Sequence, residues 1–364
     1  MKRALLVALT LASAALGCEE AKPVAGPGPS AAVAPAPPPP APAKPSRAST
    51  YHDNTGRDDI GTGGVKMIPI TTPKGKFTVW TKRTGNNPTM KVLLLHGGPG
   101  ATHEYLEIVD SYFPGASIEY YQYDQLGSTY SDQPDHPELY DLARFVDEVE
   151  QVRQALHLDK DNFVLFGQSW GGILAMEYAL KHQAHLKGLI ISNMMSSAPE
   201  YNAYAEKVLA PQMDPKILAD IRKLEAQKKT DSPKYMELLI PNYYEHHILR
   251  MPAATWPDPV GRAFKHINQK VYVPLQGPSE LGLTGKLAKW DRKADLPKIS
   301  VPTLVIGATH DTMDPKHMEM MAGAVQKGRF LLCPKGSHLA MYDDRETYFT
   351  GVLKFLSDLE EGRL

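Results

Sequence analysis

The sequence predicts an α/β fold: a mostly parallel central sheet with helices on both faces and a helical cap inserted into the chain. Three observations support this prediction. Short apolar runs typical of buried strands alternate with segments of helical periodicity. The alternation breaks between about residues 195 and 290, where the chain is mostly helical in pattern and rich in Tyr, Met, His and Pro. It then resumes, so we expect one sheet interrupted by an insertion.

The elements before the interruption follow a regular order. Two segments predict a paired opening hairpin, "GVKMIPIT" and "KFTVWTKRTG". Strands are predicted in "MKVLLLHGGPG", "ASIEYYQYDQLG", "NFVLFG" and "LKGLIISN". Helices are predicted in "PELYDLARFVDEVEQVRQAL" and "WGGILAMEYALKHQ". In the first of these helices one face is apolar and consists of Leu142, Phe145, Val146, Val149 and Val152.

After the interruption, predicted strands and helices alternate again. Strands are predicted in "VPTLVIGAT" and "GRFLLCP", and helices in "PKHMEMMAGAV" and "RETYFTGVLKFLSDLEE". The insertion at about 195–290 is therefore predicted to cover the carboxyl ends of the strands, where α/β sheets bind ligands.

The first residues resemble a secretion signal. Residues 1–17 join a short positive start to an apolar run that is too short for a permanent membrane span. They lead into Ala15-Leu16-Gly17-Cys18, which resembles a bacterial lipobox with cleavage before Cys18 and lipidation of its thiol. The alternative is plain secretion, with Cys18 there by chance.

Residues 18–50 are dominated by Pro, Ala and Gly and are predicted to be an extended, semi-rigid tether. The folded domain is then predicted at 51–364. A lipid anchor and a tether together predict a protein bound to the membrane in the bacterial cell envelope. The net charge is −1 and the pI about 6.9, so no basic excess favours nucleic acid as a partner. The sequence does not determine the oligomeric state.

Ser169 lies in the pattern Gly167-Gln168-Ser169-Trp170-Gly171, between a predicted strand and a predicted helix. In that context G-x-S-x-G is typical of a nucleophile held on a strained turn. The alternative is a serine that merely caps the helix.

A nucleophilic serine needs a base and an acid that orients the base. Asp311 follows the strand in "TLVIGATHDTMDP", and His338 follows the next strand, in "LLCPKGSHLAMYDD". Both are predicted at the same sheet edge as Ser169, in the chain order Ser, Asp, His. Asp314 and His310 are the competing candidates; Asp314 precedes a proline, and His310 lies on the loop of the acid.

The glycine-rich turn "HGGPG", residues 96–100, predicts part of an oxyanion hole, because such a turn aims backbone N–H groups at a developing negative charge. We pair the N–H of Gly98 with that of Trp170, the residue after the nucleophile. Which of the two adjacent glycines donates stays open. His96 is predicted to be structural. The alternative is a sharp turn with no catalytic role.

The set "HGGPG", "YDQLGSTYSD", "GQSWGG", "GATHD" and "GSHLAMYDD" resembles the proline iminopeptidase family of α/β-hydrolases, and especially its branch related to the tricorn-interacting aminopeptidases. The similarity extends from about Val65 to the C-terminus. It includes "YEHHILRMPAATWPDPV" and "LQGPSELGLTGKLAKWD" in the cap. The resemblance implies an α/β-hydrolase fold and a serine hydrolase that releases N-terminal residues, often proline, from short peptides. It implies no metal and no organic cofactor.

The resemblance also implies two glutamates that bind the free amine of the substrate. One matches Glu280 in "GPSE". The other position, directly after the triad aspartate, holds Thr312, which carries no charge. Asp314 and Glu237 are possible substitutes. The adjacent His246 and His247 have no fitting partners in the sequence, so no metal site is predicted there.

Two other functions compete with the aminopeptidase. An esterase or other acyl hydrolase would use the same triad on an ester substrate, and Thr312 favours it because an uncharged site suits an ester. A non-catalytic surface binding protein on the same scaffold is the second alternative. The intact Ser169, Asp311 and His338 argue against it.

Overall fold

The computed structural model describes residues 50–364. The predicted signal at 1–17, the predicted lipidation site Cys18 and nearly all of the predicted tether lie outside the described residues. The described residues contain an eight-stranded sheet with the order β1-β2-β4-β3-β5-β6-β7-β8. Its strands are β1 Val65–Thr72, β2 Gly75–Thr84, β3 Lys91–Leu95, β4 Glu119–Asp124, β5 Phe163–Gln168, β6 Gly188–Ser192, β7 Thr303–Ala308 and β8 Gly328–Cys333.

The first two strands form the predicted hairpin. β1 and β2 are antiparallel, with a register that runs from Val65 opposite Lys82 to Thr72 opposite Gly75. β1 alternates buried and exposed residues, with Ile68 and Ile70 facing the core. This alternation is expected for a strand with one face in water.

The remaining strands build the parallel part of the sheet. β2 pairs antiparallel with β4, and every later neighbour pair is parallel. Strands β3, β5 and β6 are buried along their whole length, which agrees with their continuous apolar runs. Because the strands are parallel, the loops that follow β3, β5, β6, β7 and β8 all emerge at one edge of the sheet.

Helices cover both faces of this sheet. They are α1 Leu142–Ala155, α2 Trp170–His182, α3 Ala198–Tyr204, α4 Pro215–Ala226, α5 Pro233–Leu239, α6 Glu245–His247, α7 Asp258–Lys265, α8 Gln269–Leu275, α9 Pro315–Ala324, α10 Ala340–Asp343 and α11 Arg345–Glu360. Helix α1 begins after Asp141, whose carboxylate accepts a hydrogen bond from the N–H of Ala143. Two buried apolar clusters fill the space between the helices and the two sheet faces.

The chain between β6 and β7 forms the helical cap, which contains α3 to α8. The helices are short because prolines and two π-helical turns, Ala205–Leu209 and Ile240–Tyr244, interrupt them. The fold class predicted from the sequence is confirmed. No helix within residues 50–364 combines the length and the apolar character that crossing a membrane requires.

Candidate active site

Ser169 lies on a sharp turn between β5 and α2, with φ +56° and ψ −127°. A non-glycine residue in this region carries strain of about 1–3 kcal/mol, which the surrounding packing must impose. The Ser169 side chain makes no capping hydrogen bond to α2. The alternative of a simple capping serine is therefore wrong, and the turn has the geometry of a nucleophile elbow.

The glycines around Ser169 are required by close packing. A Cβ atom on Gly171 would lie 2.2 Å from the carbonyl oxygen of Leu95, and one on Gly167 would lie 2.1 Å from the carbonyl oxygen of Gly171. Neither contact is sterically possible, so the two glycines let strand, turn and helix approach one another.

Asp311 and His338 form a buried pair at the same sheet edge. Nδ1 of His338 lies 2.8 Å from Oδ1 of Asp311, and both side chains are almost completely buried. Burial alone would lower the pKa of His338. The charge and hydrogen bond of Asp311, together with the charge of Glu280, outweigh that effect and raise the pKa above its ordinary value. The ring is thereby held as a base that Asp311 orients.

Ser169 and His338 face the same cavity, which has a volume of about 730 Å³. Within residues 50–364 no hydrogen bond joins the Ser169 hydroxyl to the His338 ring. In hydrolases without substrate this contact is often long and tightens only in the complex. The structure thus brings together all three residues that the sequence predicted as a triad.

The competing acid and base candidates lie elsewhere. Asp314 caps α9 by accepting a hydrogen bond from the N–H of Lys316 at 2.9 Å. The backbone N–H of His310 bonds to Gly336, and its carbonyl oxygen lies 3.0 Å from Nδ1 of His247. Neither Asp314 nor His310 lines the cavity of Ser169.

The predicted oxyanion donors come from the turn after β3 and from the start of α2. The N–H of Gly97 already donates to the hydroxyl of Tyr105 at 2.6 Å. Gly98 lines the cavity at φ +108°, and its N–H has no partner within residues 50–364. The N–H of Trp170 is the first of α2, and such groups have no partner inside their helix. The geometry therefore favours Gly98 over Gly97 as the partner of Trp170. His96 is fully buried and does not line the cavity.

Glu280 lines the cavity and is surrounded by hydroxyl groups. The Tyr272 hydroxyl donates to Oε1 of Glu280 at 2.5 Å, and Gln276 Nε2 lies 3.5 Å from Oε2. The hydroxyls of Tyr201 and Tyr244 bond to its backbone. No Lys, Arg or His within residues 50–364 forms an ion pair with Glu280. Loss of solvation raises the pKa of this carboxyl above its ordinary value.

Thr312 is fully buried and does not line the cavity. Its hydroxyl lies 3.3 Å from Oδ1 of Asp311 and 3.4 Å from Nδ1 of His338. Glu237 is exposed on α5 and, like Asp314, is absent from the cavity wall. Neither replaces the second glutamate that the resemblance implies. The other carboxylate in the wall is Asp231, which is exposed.

Most of the cavity wall is apolar. Its large apolar side chains include Met236, Ile240, Ile248, Phe264, Ile267, Val273 and Leu339. Among the tyrosines of the cap, Tyr244 and Tyr272 line the cavity, whereas Tyr201, Tyr235 and Tyr243 are buried outside it. The site therefore combines a buried carboxyl group of the cap, Glu280, with apolar contact surface.

Sequence reasoning missed Asn193, the residue directly after β6. Its side chain is fully buried, and Nδ2 donates to Oδ2 of Asp311 at 2.7 Å. A polar residue at the end of a buried strand, on the edge that carries the triad, was the available signal. Sequence reasoning also missed Gln168, which accepts from the Tyr105 hydroxyl and donates to the carbonyl oxygen of His338.

The sheet order, the elbow and the acid–base pair define a class of protein: a serine hydrolase with the α/β hydrolase fold. Residues 91–345 match the family described as alpha/beta hydrolase fold. A proline iminopeptidase of Mycobacterium smegmatis has a similar structure. The TM-score is 0.72 at 25% identity, and the match covers 82% of this chain and 100% of that one.

Curated relatives identify the family within this class of hydrolases. A proline iminopeptidase of Flavobacterium johnsoniae is 57% identical over 298 residues, which cover 82% of this chain and 100% of the relative. A proline iminopeptidase of Elizabethkingia meningoseptica is 59% identical, with coverage of 81% and 98%. The chain belongs to the proline iminopeptidase family of α/β-hydrolases, which confirms the resemblance seen in its motifs.

Proposed function

We propose that this protein is a serine aminopeptidase that releases N-terminal proline from short peptides. The observation that supports this most directly is Glu280. It is a carboxylate in the wall of the cavity that holds Ser169 and His338, and it has no cationic partner within residues 50–364. A desolvated carboxylate that forms no ion pair suits the ammonium of a free N-terminus. The names of the curated relatives agree with this activity.

In the proposed mechanism the Ser169 Oγ attacks the carbonyl carbon of the N-terminal residue. His338 accepts the hydroxyl proton and passes it to the nitrogen of the leaving peptide, so that the amide bond breaks and an acyl-serine remains. Water, deprotonated by His338, then releases the free amino acid. Asp311 holds the imidazolium, and the N–H groups of Gly98 and Trp170 stabilise the oxyanion.

The experiment compares proline-β-naphthylamide with its N-acetylated form. We expect kcat/KM to be high for the free amine and very low for the acetylated substrate, because acetylation removes the charge that Glu280 binds. Ser169→Ala should lower the rate by about 10⁴-fold or more. Equal cleavage of both substrates would contradict the aminopeptidase.

Glu280→Gln tests the amine site itself. We expect kcat/KM for proline-β-naphthylamide to fall about 100-fold, because the buried ammonium would lose its charged partner. The matched control is Glu237→Gln, an exposed glutamate of the cap that lies outside the cavity wall. It should leave kcat/KM unchanged. A loss of similar size in both variants would refute the assignment of Glu280.

An esterase is the second candidate, and Thr312 is the observation that favours it. The amine site of this chain has one buried carboxylate where the resemblance implies two, and the rest of the cavity is mainly apolar. Cleavage of p-nitrophenyl acetate without cleavage of any amide bearing a free N-terminus would establish the esterase.

We further propose that the mature chain begins at a lipid-modified Cys18 and is bound to a membrane of the bacterial cell envelope. The support is sequence alone: the apolar signal, the residues that resemble a lipobox, and the Pro/Ala-rich tether. Membrane fractionation of a producing bacterium tests this proposal. Cys18→Ala should move the protein to the soluble fraction and leave kcat/KM unchanged. If the variant remains in the membrane fraction, the anchor lies elsewhere.

A further inference from the structure

A second group of chemically reactive side chains lies far from the catalytic cavity. Glu150 comes from α1, His182 is the last residue of α2, and His185 ends the short 3-10 helix Gln183–His185 that follows. Ser169 precedes the other end of α2, about 18 Å away at the rise of an α-helix. The group thus joins α1 to the end of the helix that begins at the nucleophile.

The donor atoms of this group converge. One nitrogen of each histidine and a carboxylate oxygen of Glu150 all lie within 4.8 Å of one another. Ligands of a tetrahedral zinc ion lie about 2.0–2.2 Å from the metal and therefore roughly 3–3.5 Å apart. Rotations of the two histidine side chains would close the remaining gap. All three residues are half-buried, so an ion from solvent has access to them.

An independent observation at His182 also points to a ligand site. Nε2 of His182 is buried and has no hydrogen-bond partner within residues 50–364. A buried ring nitrogen without a partner is costly, and an ion or an ordered water is the usual explanation. The neighbouring ring of Tyr178, with centroids 5.1 Å apart, does not satisfy this nitrogen.

The carboxylate of Glu150 is fixed by its own hydrogen bonds. Arg153 donates to both of its oxygens at 2.7 and 2.8 Å, and the hydroxyl of Tyr178 donates at 2.8 Å. Carboxylates that bind metals are themselves hydrogen-bonded in this way, and such partners orient the ligand. The charge of Arg153 opposes a cation, so the two neutral imidazoles must provide most of the binding free energy.

We propose that Glu150, His182 and His185 form a binding site for a divalent transition metal of the zinc class, with water completing the coordination. Imidazole and carboxylate ligands suit Zn²⁺, Ni²⁺ and Cu²⁺ and do not select Ca²⁺ or Mg²⁺. The metal would cross-link α1 to the end of α2. It takes no part in the reaction at Ser169.

The test is a calorimetric titration of the purified, EDTA-treated full-length protein with ZnCl₂. We expect one ion per chain and a rise in Tm with zinc, because the ion binds only the folded state. His185→Gln and Glu150→Gln should each weaken zinc binding at least tenfold and abolish the rise in Tm. Tyr178→Phe should weaken binding about tenfold through the loss of a partner that orients Glu150.

The matched control is His246→Gln, which removes an exposed histidine next to another histidine but outside this group. It should leave zinc affinity unchanged. Circular dichroism verifies that each variant is folded, and kcat/KM of His185→Gln should equal that of wild type. The proposal is wrong if no stoichiometric binding occurs. It is equally wrong if both His185→Gln and Glu150→Gln retain wild-type affinity.

Discussion

Hydrogen bonds at Asp311 and His338 decide how strong a base the site contains. Three groups besides His338 contact the carboxylate of Asp311: the Asn193 amide, the Met313 N–H and the Thr312 hydroxyl. The Thr312 hydroxyl also lies beside Nδ1 of His338. Thr312, at the position where the resemblance implies a glutamate, thus packs against the acid–base pair and does not line the cavity.

Asn193 is predicted to position Asp311. Asn193→Ala removes a hydrogen bond to a buried charge, worth about 1.5–3 kcal/mol. We expect kcat to fall about 10- to 100-fold, while KM changes little. The measurement is steady-state kinetics on proline-β-naphthylamide. Asn242→Ala is the control, because that amide bonds only to a carbonyl oxygen of the cap. Wild-type kcat in Asn193→Ala would disprove the positioning role.

The raised pKa of His338 sets the pH dependence of kcat/KM. His338 must be neutral to accept a proton, so kcat/KM is lost as the pH falls through its pKa. We expect the midpoint of this acidic limb above 6.5, the ordinary value for histidine. Glu280→Gln should move the midpoint to lower pH, because the charge of Glu280 helps to raise it. The pH dependence of kcat/KM on p-nitrophenyl acetate, a substrate without an ammonium, measures the midpoint in wild type and in Glu280→Gln. A midpoint below 6.5 in wild type would contradict the assignment.

At the level of elements, the packing of β3 against the start of α2 determines the geometry of the nucleophile elbow at Ser169. The close approach of Gly171 to Leu95 brings the turn after β3 beside Ser169, where a Cβ on Gly97 would lie 2.9 Å from that of Ser169. The predicted oxyanion donors and Ser169 are therefore held together by backbone contacts between two elements.

Gly171→Ala is expected to disrupt this junction. Its new methyl group would meet the carbonyl oxygens of Leu95 and His96 at 2.2 and 2.9 Å, and backbone on both sides would have to move. We expect a lower Tm and a loss of most activity. Gly323→Ala in α9 is the matched control, because a Cβ there has nothing within 4 Å. It should be neutral or stabilising by about 0.5–1 kcal/mol. An equal Tm in the two variants would refute the prediction that Gly171 is required at this junction.

At the scale of the whole molecule, one ionic network ties the cap to the sheet domain. Glu104, on the 3-10 helix His103–Ser111, has a fully buried carboxylate that binds Arg262 of α7 and, at 2.7 Å, Nδ1 of His266. Arg262 also pairs with Glu107 at 2.6 Å. Burial raises the pKa of Glu104, but the hydrogen bonds from Thr102, His266 and Arg262 outweigh it and lower the pKa overall.

Arg262→Gln should loosen the cap. It removes the arginine that pairs with the buried carboxylate of Glu104. We expect the free energy of unfolding to fall by about 2–3 kcal/mol, less than for a fully buried pair because Arg262 is one-third exposed. KM should rise because the cap forms the cavity wall. Urea unfolding and steady-state kinetics measure the two effects. Lys270→Gln is the control, because its pair with Asp135 is exposed on both sides. An equally small effect of both substitutions would argue against the network.

Much of the fold was predictable from the sequence because local patterns determine it. The alternation in β1 and the apolar runs of β3 and β5 identified the strands, and the apolar face of α1 identified a helix. Strand ends also predicted Ser169, Asp311 and His338, since the carboxyl ends of parallel strands meet at one edge. The cap was recognised only as an interruption, because its short, proline-rich helices have little periodicity.

The sequence by itself determined the fold class and the family, and it predicted the triad, since each depends on chemistry at fixed positions along the chain. Only the tertiary structure decided which groups face the cavity. It excluded Glu237 and Asp314 as amine-binding carboxylates, favoured Gly98 over Gly97, and turned Thr312 toward His338. It also brought Glu150 to His182 across two helices. The physical reason is that burial and contact depend on residues far apart in the chain, which no local pattern encodes.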